Sequence, residues 1–303
     1  MGRKLLSFAA LVGVGTTVLI GVVAGQADVN AFTKSLRAEV DSRTKGKVAS
    51  PETMNVFSSK DHVRGKYVRN PKLWCADLVP QLTGCAAWKP PKEYAGELFG
   101  GVMITPRHIL FCRHSHPAWD GGWMKVQPQI IRFVTADSKT VDMKLIANAD
   151  AKDPDLDLCV GLLHEDVPQN IHIVPIMPRI SPSLFEKLAV NKIQDLAVSQ
   201  ANTRPDGRKH EAMVYTSDSG RNALASGPWG HSIYAGDSGT PRFYLTKAGL
   251  GLHQITGAGS VHDNLSRVEA LIEACDDSAI ARGVVKKRTG LKPKILNVTV
   301  PSP

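Results

Sequence analysis

The chain has 303 residues, 43% hydrophobic and 21% charged, ordinary proportions for a folded protein and a length that allows one large domain with extensions. Its net charge is +9, but Arg3 and Lys4 at the start and Arg282, Lys286, Lys287, Arg288, Lys292 and Lys294 at the end account for all but about +1 of it. A body so nearly neutral is not a nucleic-acid binder by charge.

Arg3 and Lys4 precede Leu5 to Ala24, an apolar segment long enough to span a bilayer, with only Ser7, Thr16 and Thr17 as polar interruptions. Gly25-Gln26-Ala27 follows as a small-x-small site, so residues 1–27 read either as a signal peptide cleaved before Asp28 or as an uncleaved anchor. Both readings export the remainder, to the periplasm or the exterior, and the second adds a membrane contact. Residues 28–72 are polar, mixed in charge and weakly periodic. A short helix is predicted from Val29 to Val40, and the rest reads as a linker or as a propeptide that blocks the site behind it.

Cys75 and Cys85 flank Pro80 and Gly84, and in an oxidising compartment they predict a small loop disulfide. In Gly101-Val102-Met103-Ile104-Thr105-Pro106-Arg107-His108-Ile109-Leu110-Phe111-Cys112-Arg113-His114-Ser115, two apolar runs flank a Pro-containing turn. His114 stands where the second run ends, at a strand-to-loop edge where catalytic side chains are commonly displayed. Further on, Asp157 opens the apolar run Leu158-Cys159-Val160-Gly161-Leu162-Leu163, where an acid is costly without a partner. Short alternating runs at 129–135, 141–147, 196–200, 211–216 and 241–245, separated by turn-rich segments, predict an all-β sandwich or barrel.

Gly236-Asp237-Ser238-Gly239-Thr240-Pro241 then places a serine between two glycines, where a tight turn can open the hydroxyl to solvent and aim backbone N–H groups at one point. Alone the string is a common turn, and Ser217-Asp218-Ser219-Gly220 is a similar one without the preceding glycine and following proline. The weight lies in three segments in the order His, Asp, Ser. Ser266 to Glu273 predicts a capped helix leading to Cys275, and residues 276–303 form a basic tail read as a solvated extension.

Together these segments resemble the chymotrypsin-like, or trypsin-like, serine endopeptidases of bacterial type, over roughly Gly96 to Cys275. The resemblance implies an all-β fold of two six-stranded antiparallel barrels with a C-terminal helix, spanning a domain at 73–275, with the active site in the cleft between the barrels. It makes His114 the general base, Asp157 the residue that orients it, and Ser238 the nucleophile, with the backbone N–H groups of Gly236 and Ser238 forming the oxyanion hole. Asp157 is preferred over Asp155 because Leu158-Cys159-Val160 gives the apolar-small-apolar order. A protein or peptide is the implied substrate, and no cofactor or metal is implied. Cys112 and Cys159 would lie beneath the His-Asp pair, as buried thiols or as a bridge across the first barrel.

Several positions depart from the family pattern. Cys112-Arg113 replaces two small residues before the histidine, Thr240 replaces a glycine, and no activation cleavage stretch is present to supply a partner for Asp237. Ser232 stands where family members place the base of the primary specificity pocket, so no carboxylate there selects Arg or Lys. Gly251-Leu252-His253 resembles the pocket strand of glutamyl endopeptidases, which implies a preference for acidic residues through His253; a shifted alignment puts Thr256 there instead. A Gly-x-Ser-x-Gly hydrolase elbow is excluded by Thr240, and His114-Ser115-His116 lacks further ligands at a familiar metal spacing. The rival function is a non-catalytic peptide- or envelope-binding protein on the same fold.

Overall fold

In the computed structural model, which describes residues 28–58, 66–86, 100–115, 129–153, 155–199, 212–218, 227–231 and 237–301, the apolar runs of the first half pair into one antiparallel sheet. Its spatial order is β1 (Gly101–Met103), β2 (His108–Cys112), β5 (Leu158–Leu163), β4 (Thr140–Asp150) and β3 (Ile130–Val134). Strand alternation sends Ile109, Phe111, Cys159 and Leu163 to one face, where they pack with Ile131, Phe133, Met143 and Leu145. Leu110, Cys112, Leu158, Val160 and Leu162 take the other face and join the larger core with Val198, Phe243 and Leu252 of the second half.

The second sheet is also antiparallel, in the order β10 (Gly259–Ser260), β9 (Gly249–Ile255), β8 (Pro241–Thr246), β6 (Gln194–Ser199) and β7 (Met213–Asp218). The protein is therefore mostly β, and one sheet is curled into a half-barrel. Two closed six-stranded barrels are not what the described residues form. Neighbouring segments add isolated bridges, Cys85 to Val102 and Ile176 to Leu252, where closure would need whole strands. The edges at β1 and β10 are only three and two residues long, which limits unpaired backbone.

The C-terminal helix α5 (Leu265–Ala281) packs on β4 and β5 and extends past the predicted end because its buried stripe, Val268, Leu271, Ile272, Cys275 and Ala279, continues at helical spacing. Where a solvated tail is expected, the chain is pinned instead. Ile176 N–H donates to the Lys294 carbonyl and Leu296 N–H to that of Ile176, both at 2.8 Å. Asp276 Oδ2 accepts from the backbone N–H and the hydroxyl of Thr289, each at 2.8 Å, while its other oxygen lies 3.3 Å from His108 Nε2.

The segment read as a linker or propeptide is likewise built into the body. Its helix α1 (residues 28–44) buries Val29, Phe32, Leu36 and Val40, one apolar stripe. The first three meet Met177, Leu184 and Leu188, the last two from α4 (Pro182–Val190), and Tyr244. After the short helix α2 (Pro51–Met54), Asn55 bridges to Met213 of β7, and Trp74 Nε1 donates to the Val214 carbonyl at 2.9 Å.

The predicted Cys75–Cys85 disulfide is absent: both are free, buried thiols. Cys75 precedes a 3-10 turn at 76–78, which leads into α3 (Val79–Leu82), whereas Cys85 is held by its bridge to β1, and burial raises both thiols, Cys85 to about 12. Cys112 and Cys159 do not bridge either, since Cys159 pairs with Phe111 and Cys112 with Leu158, adjacent rungs whose side chains leave the sheet on opposite faces. Leu36→Ala is expected to lower the unfolding free energy by about 2–4 kcal/mol. The measurement is a urea transition, with the midpoint moved and the slope kept; a solvated extension at 28–44 predicts no change.

Candidate active site

β2 ends at Cys112, and Arg113–Ser115 form a 3-10 turn that carries His114 off the end of the sheet. Because Cys112 pairs with Leu158, the residues just beyond that rung, Arg113 and Asp157, come together at the same edge. Arg113 N–H donates to the Asp157 carbonyl at 2.7 Å, and His114 N–H donates to Asp157 Oδ1 at 3.0 Å. The Arg113 guanidinium braces the same carboxylate, with Nε 3.3 Å from Oδ1, and is itself fixed by Nη1 donating to the Ala151 carbonyl at 2.7 Å.

These contacts leave Asp157 Oδ2 for the ring of His114, to which it is hydrogen-bonded at Nδ1. Burial pushes the Asp157 carboxyl upward, but the His114 ring, the Cys112 thiol and the His114 backbone N–H outweigh it and hold the group below the usual carboxylate value. An ionised oxygen only accepts, so Nδ1 carries the ring proton and Nε2 presents a lone pair. Ser238 Oγ lies 2.8 Å from that Nε2. In the order Oγ, Nε2, Nδ1, Oδ2, a ring lone pair faces the hydroxyl and a carboxylate backs the ring.

Ser238 reaches this position through a turn in which Thr240 N–H donates to the Asp237 carbonyl at 3.0 Å. Gly239 has φ of +87°, and a Cβ on it would stand 2.4 Å from the Gly100 carbonyl oxygen, so glycine is required there on two counts. Gly239 N–H donates to the Thr256 carbonyl and Thr256 N–H to that of Thr240, both at 2.9 Å, which ties the turn to the end of β9. Gly257, with φ of +80°, lies over the cluster: a Cβ there would be 3.3 Å from both His114 Cε1 and Ser238 Oγ and 3.5 Å from Cys112 Sγ. Asp237 is buried beside Ser238 and bears electrostatically on Tyr215.

The other predicted positions divide. Gly236 and Ser232 lie outside the described residues, as does Ser219 of the second Asp-Ser-Gly string. Thr256 is at the site through its backbone. His253, expected to line a pocket and meet an acidic substrate side chain, is instead fully buried and meets an acid of the protein itself, with Nε2 2.8 Å from Asp195 Oδ2. Its ring is stacked on Tyr244 at 4.1 Å between centroids.

Asp195 is the centre of a buried polar network that the sequence reading missed. Its side chain is inaccessible to solvent and accepts from Arg242 Nη2 at 2.7 Å, from His253 and from the Ser217 hydroxyl at 2.7 Å. Burial alone raises such a carboxyl, but Arg242 first and His253 next bring it below its ordinary value. The signal was an acid and an arginine each set in an apolar strand run, Ile193 to Val198 and Pro241 to Leu245. Cys112 closes the site from below: its Sγ is 3.0 Å from His114 Nδ1, and its S–H donates to Asp157 Oδ2 at 3.4 Å. Cys112, His114 and Asp157 form a donor group compact enough to hold a metal ion. No family model matches the sequence, and no curated protein matches it.

The network also sets a pH dependence. Burial depresses His253, against the pull of Asp195, and takes His262, stacked at 6.3 Å from it, down to about 4. A histidine whose folded value lies below its unfolded value of about 6.5 binds fewer protons folded than unfolded between those limits, so stability is lost as pH falls from about 6.5 to about 4. For His262 that window corresponds to on the order of 3 kcal/mol. Thermal unfolding followed between pH 7 and 4 is expected to show this fall, and His262→Gln to flatten it; a variant falling as steeply as the parent would remove His262 as the cause.

Proposed function

We propose that the chain is an exported serine endopeptidase of the chymotrypsin-like type, cleaving peptide bonds through an acyl-enzyme. The observation that supports it best is the continuous contact from Ser238 Oγ to His114 Nε2 at 2.8 Å and from His114 Nδ1 to Asp157. Three residues separated by 43 and 81 positions meet in the order of hydroxyl, imidazole and carboxylate. That order has one chemical use above others, which is to make a hydroxyl nucleophilic.

In this mechanism Ser238 Oγ attacks the peptide carbonyl carbon as its proton passes to His114 Nε2. Asp157, ionised and held by Arg113 and the His114 backbone N–H, stabilises the resulting imidazolium without taking its proton. The imidazolium then gives the proton to the leaving amine, and a water activated by the same Nε2 hydrolyses the ester. The backbone N–H groups of Ser238 and Gly236 are assigned to the oxyanion, as the resemblance to the family implies. On the same reading the two sheets are the cores of two barrels, with the cleft between them. The leader at 1–27 directs export. An acidic substrate preference is not assigned to His253, because its Nε2 is occupied by Asp195.

A fluorophosphonate probe applied to the chain from Asp28 onward tests the machinery without a known substrate, because it is attacked only by an activated serine. Labelling is expected at Ser238. Ser238→Ala is expected to abolish it, His114→Ala to slow turnover of a peptide substrate by on the order of a million-fold, and Ser219→Ala to leave both intact. A parent chain that folds but takes no label would remove the peptidase reading and favour a binding role.

A further inference from the structure

Beneath the proposed base lies a donor that serine chemistry does not call for. Cys112 occupies a rung that faces the site from the core, and its sulfur approaches both His114 Nδ1, at 3.0 Å, and Asp157 Oδ2, at 3.4 Å. These are a soft, a borderline and a hard donor, the mixture that zinc and similar thiophilic cations accept and that magnesium and calcium do not. A tetrahedral zinc with Zn–S of about 2.3 Å and Zn–N of about 2.0 Å needs sulfur and nitrogen about 3.5 Å apart. Sulfur and nitrogen need to part only slightly to receive it, whereas Nδ1 and Oδ2, now hydrogen-bonded to each other, must open to about 3.3 Å as the His114 ring shifts.

We infer that Cys112, His114 Nδ1 and Asp157 Oδ2 form an inhibitory binding site for a thiophilic divalent cation, zinc being the type, whose occupation switches off the base. The cation's effect on catalysis rests on the peptidase reading above, while its binding does not. Three features favour the site. Asp157 Oδ1 is already held by Arg113 and the His114 N–H, so Oδ2 can serve a metal without freeing the carboxylate. The His114 side chain is 52% exposed, which provides an entry route, whereas the sulfur is buried on a fixed strand. Gly257 leaves the face over His114 Cε1 and Cys112 Sγ without a side chain.

The chemistry balances with one proton released. The thiol gives its proton to solvent and binds as thiolate, and with the carboxylate it neutralises the two positive charges of the cation. Nδ1 must offer its lone pair to the metal, so the ring proton moves from Nδ1 to Nε2. Nε2 then points an N–H, not a lone pair, at Ser238 Oγ, and cannot accept the hydroxyl proton. Inhibition follows from the tautomer alone, with the serine untouched and the metal removable.

The test uses cobalt(II) and zinc chlorides on the chain from Asp28 onward. Cobalt is expected to give a thiolate-to-metal charge-transfer band that saturates at one ion per chain, is displaced by zinc, persists in Ser238→Ala and disappears in both Cys112→Ala and Cys112→Ser. Zinc is expected to slow fluorophosphonate labelling by about a hundredfold or more, the contribution of a general base, with recovery on adding a chelator and no effect of magnesium or calcium. No thiolate band in the parent chain, or a band that survives in folded Cys112→Ser, would overturn the site even if labelling occurs. A band without any metal-free labelling would keep the site and fail the peptidase reading instead.

Discussion

The backbones of Gly100 and Gly239 approach so closely that a Cβ on either would stand 2.4 Å from the other's carbonyl oxygen. That approach is the constraint on which the site depends, because Gly100 leads into β1 of the first sheet and Gly239 follows the proposed nucleophile ahead of β8 of the second. His114 and Asp157 belong to one sheet and Ser238 to the other. A side chain at either glycine would have to push the halves apart locally by about 1 Å to reach ordinary contact, enough to stretch the 2.8 Å contact of Nε2 with Oγ out of hydrogen-bonding range.

Within each half the positioning is done by different means. In the first it is strand register: one rung of β2 against β5 decides that Arg113, His114 and Asp157 share an edge, and a slip by one residue would turn His114 away. In the second it is a buried ion network behind the Ser238 turn. Arg242 follows Pro241 directly and joins β8 to β6 through Asp195 and to β9 through Gln254, with Nη1 donating to Gln254 Oε1 at 3.1 Å. Such networks contribute little net stability once desolvation is counted, yet they tolerate few alternative arrangements, since each displaced partner leaves a buried charge. A turn that must hold a hydroxyl to within a few tenths of an ångström gains from a base of that kind.

The parts legible in the sequence were those carried by local pattern. The strand-turn-strand before His114, the apolar run after Asp157 and the glycine-flanked Ser238 are each contiguous, and alternation located β3, β4, β6, β7 and β8 closely. The helix at 28–44 was visible as a period, but its destination was not. Val29, Phe32 and Leu36 read as weakly amphipathic until Tyr244 and Leu188, far along the chain, supply the surface that buries them. Pairings between distant residues escaped for the same reason. A histidine on a strand looks the same whether it lines a pocket or meets an internal acid, and the choice for His253 rests on Asp195, 58 residues earlier. The two cysteines flanking a turn suggest a bridge on spacing alone, whereas their backbones are held by different elements, Cys75 ahead of the 3-10 turn at 76–78 and Cys85 in its bridge to Val102 of β1.

On the proposed reading, Cys112 ties the competence of this site to its vulnerability. The position beneath the imidazole is enclosed, so whatever stands there must be small and must not compete with Asp157 for the ring proton. A thiol meets the first condition and nearly the second: it is a weak donor, and it spends that donation on Oδ2, adding to the contacts that keep the carboxylate ionised. The same atom in its thiolate form is the strongest soft ligand available to a protein. A proton on sulfur therefore separates a base-supporting neighbour from a metal ligand. On the proposed reading, the feature that suits His114 to act as a base, an Nδ1 held by a carboxylate oxygen, is also the one that gathers the other two donors.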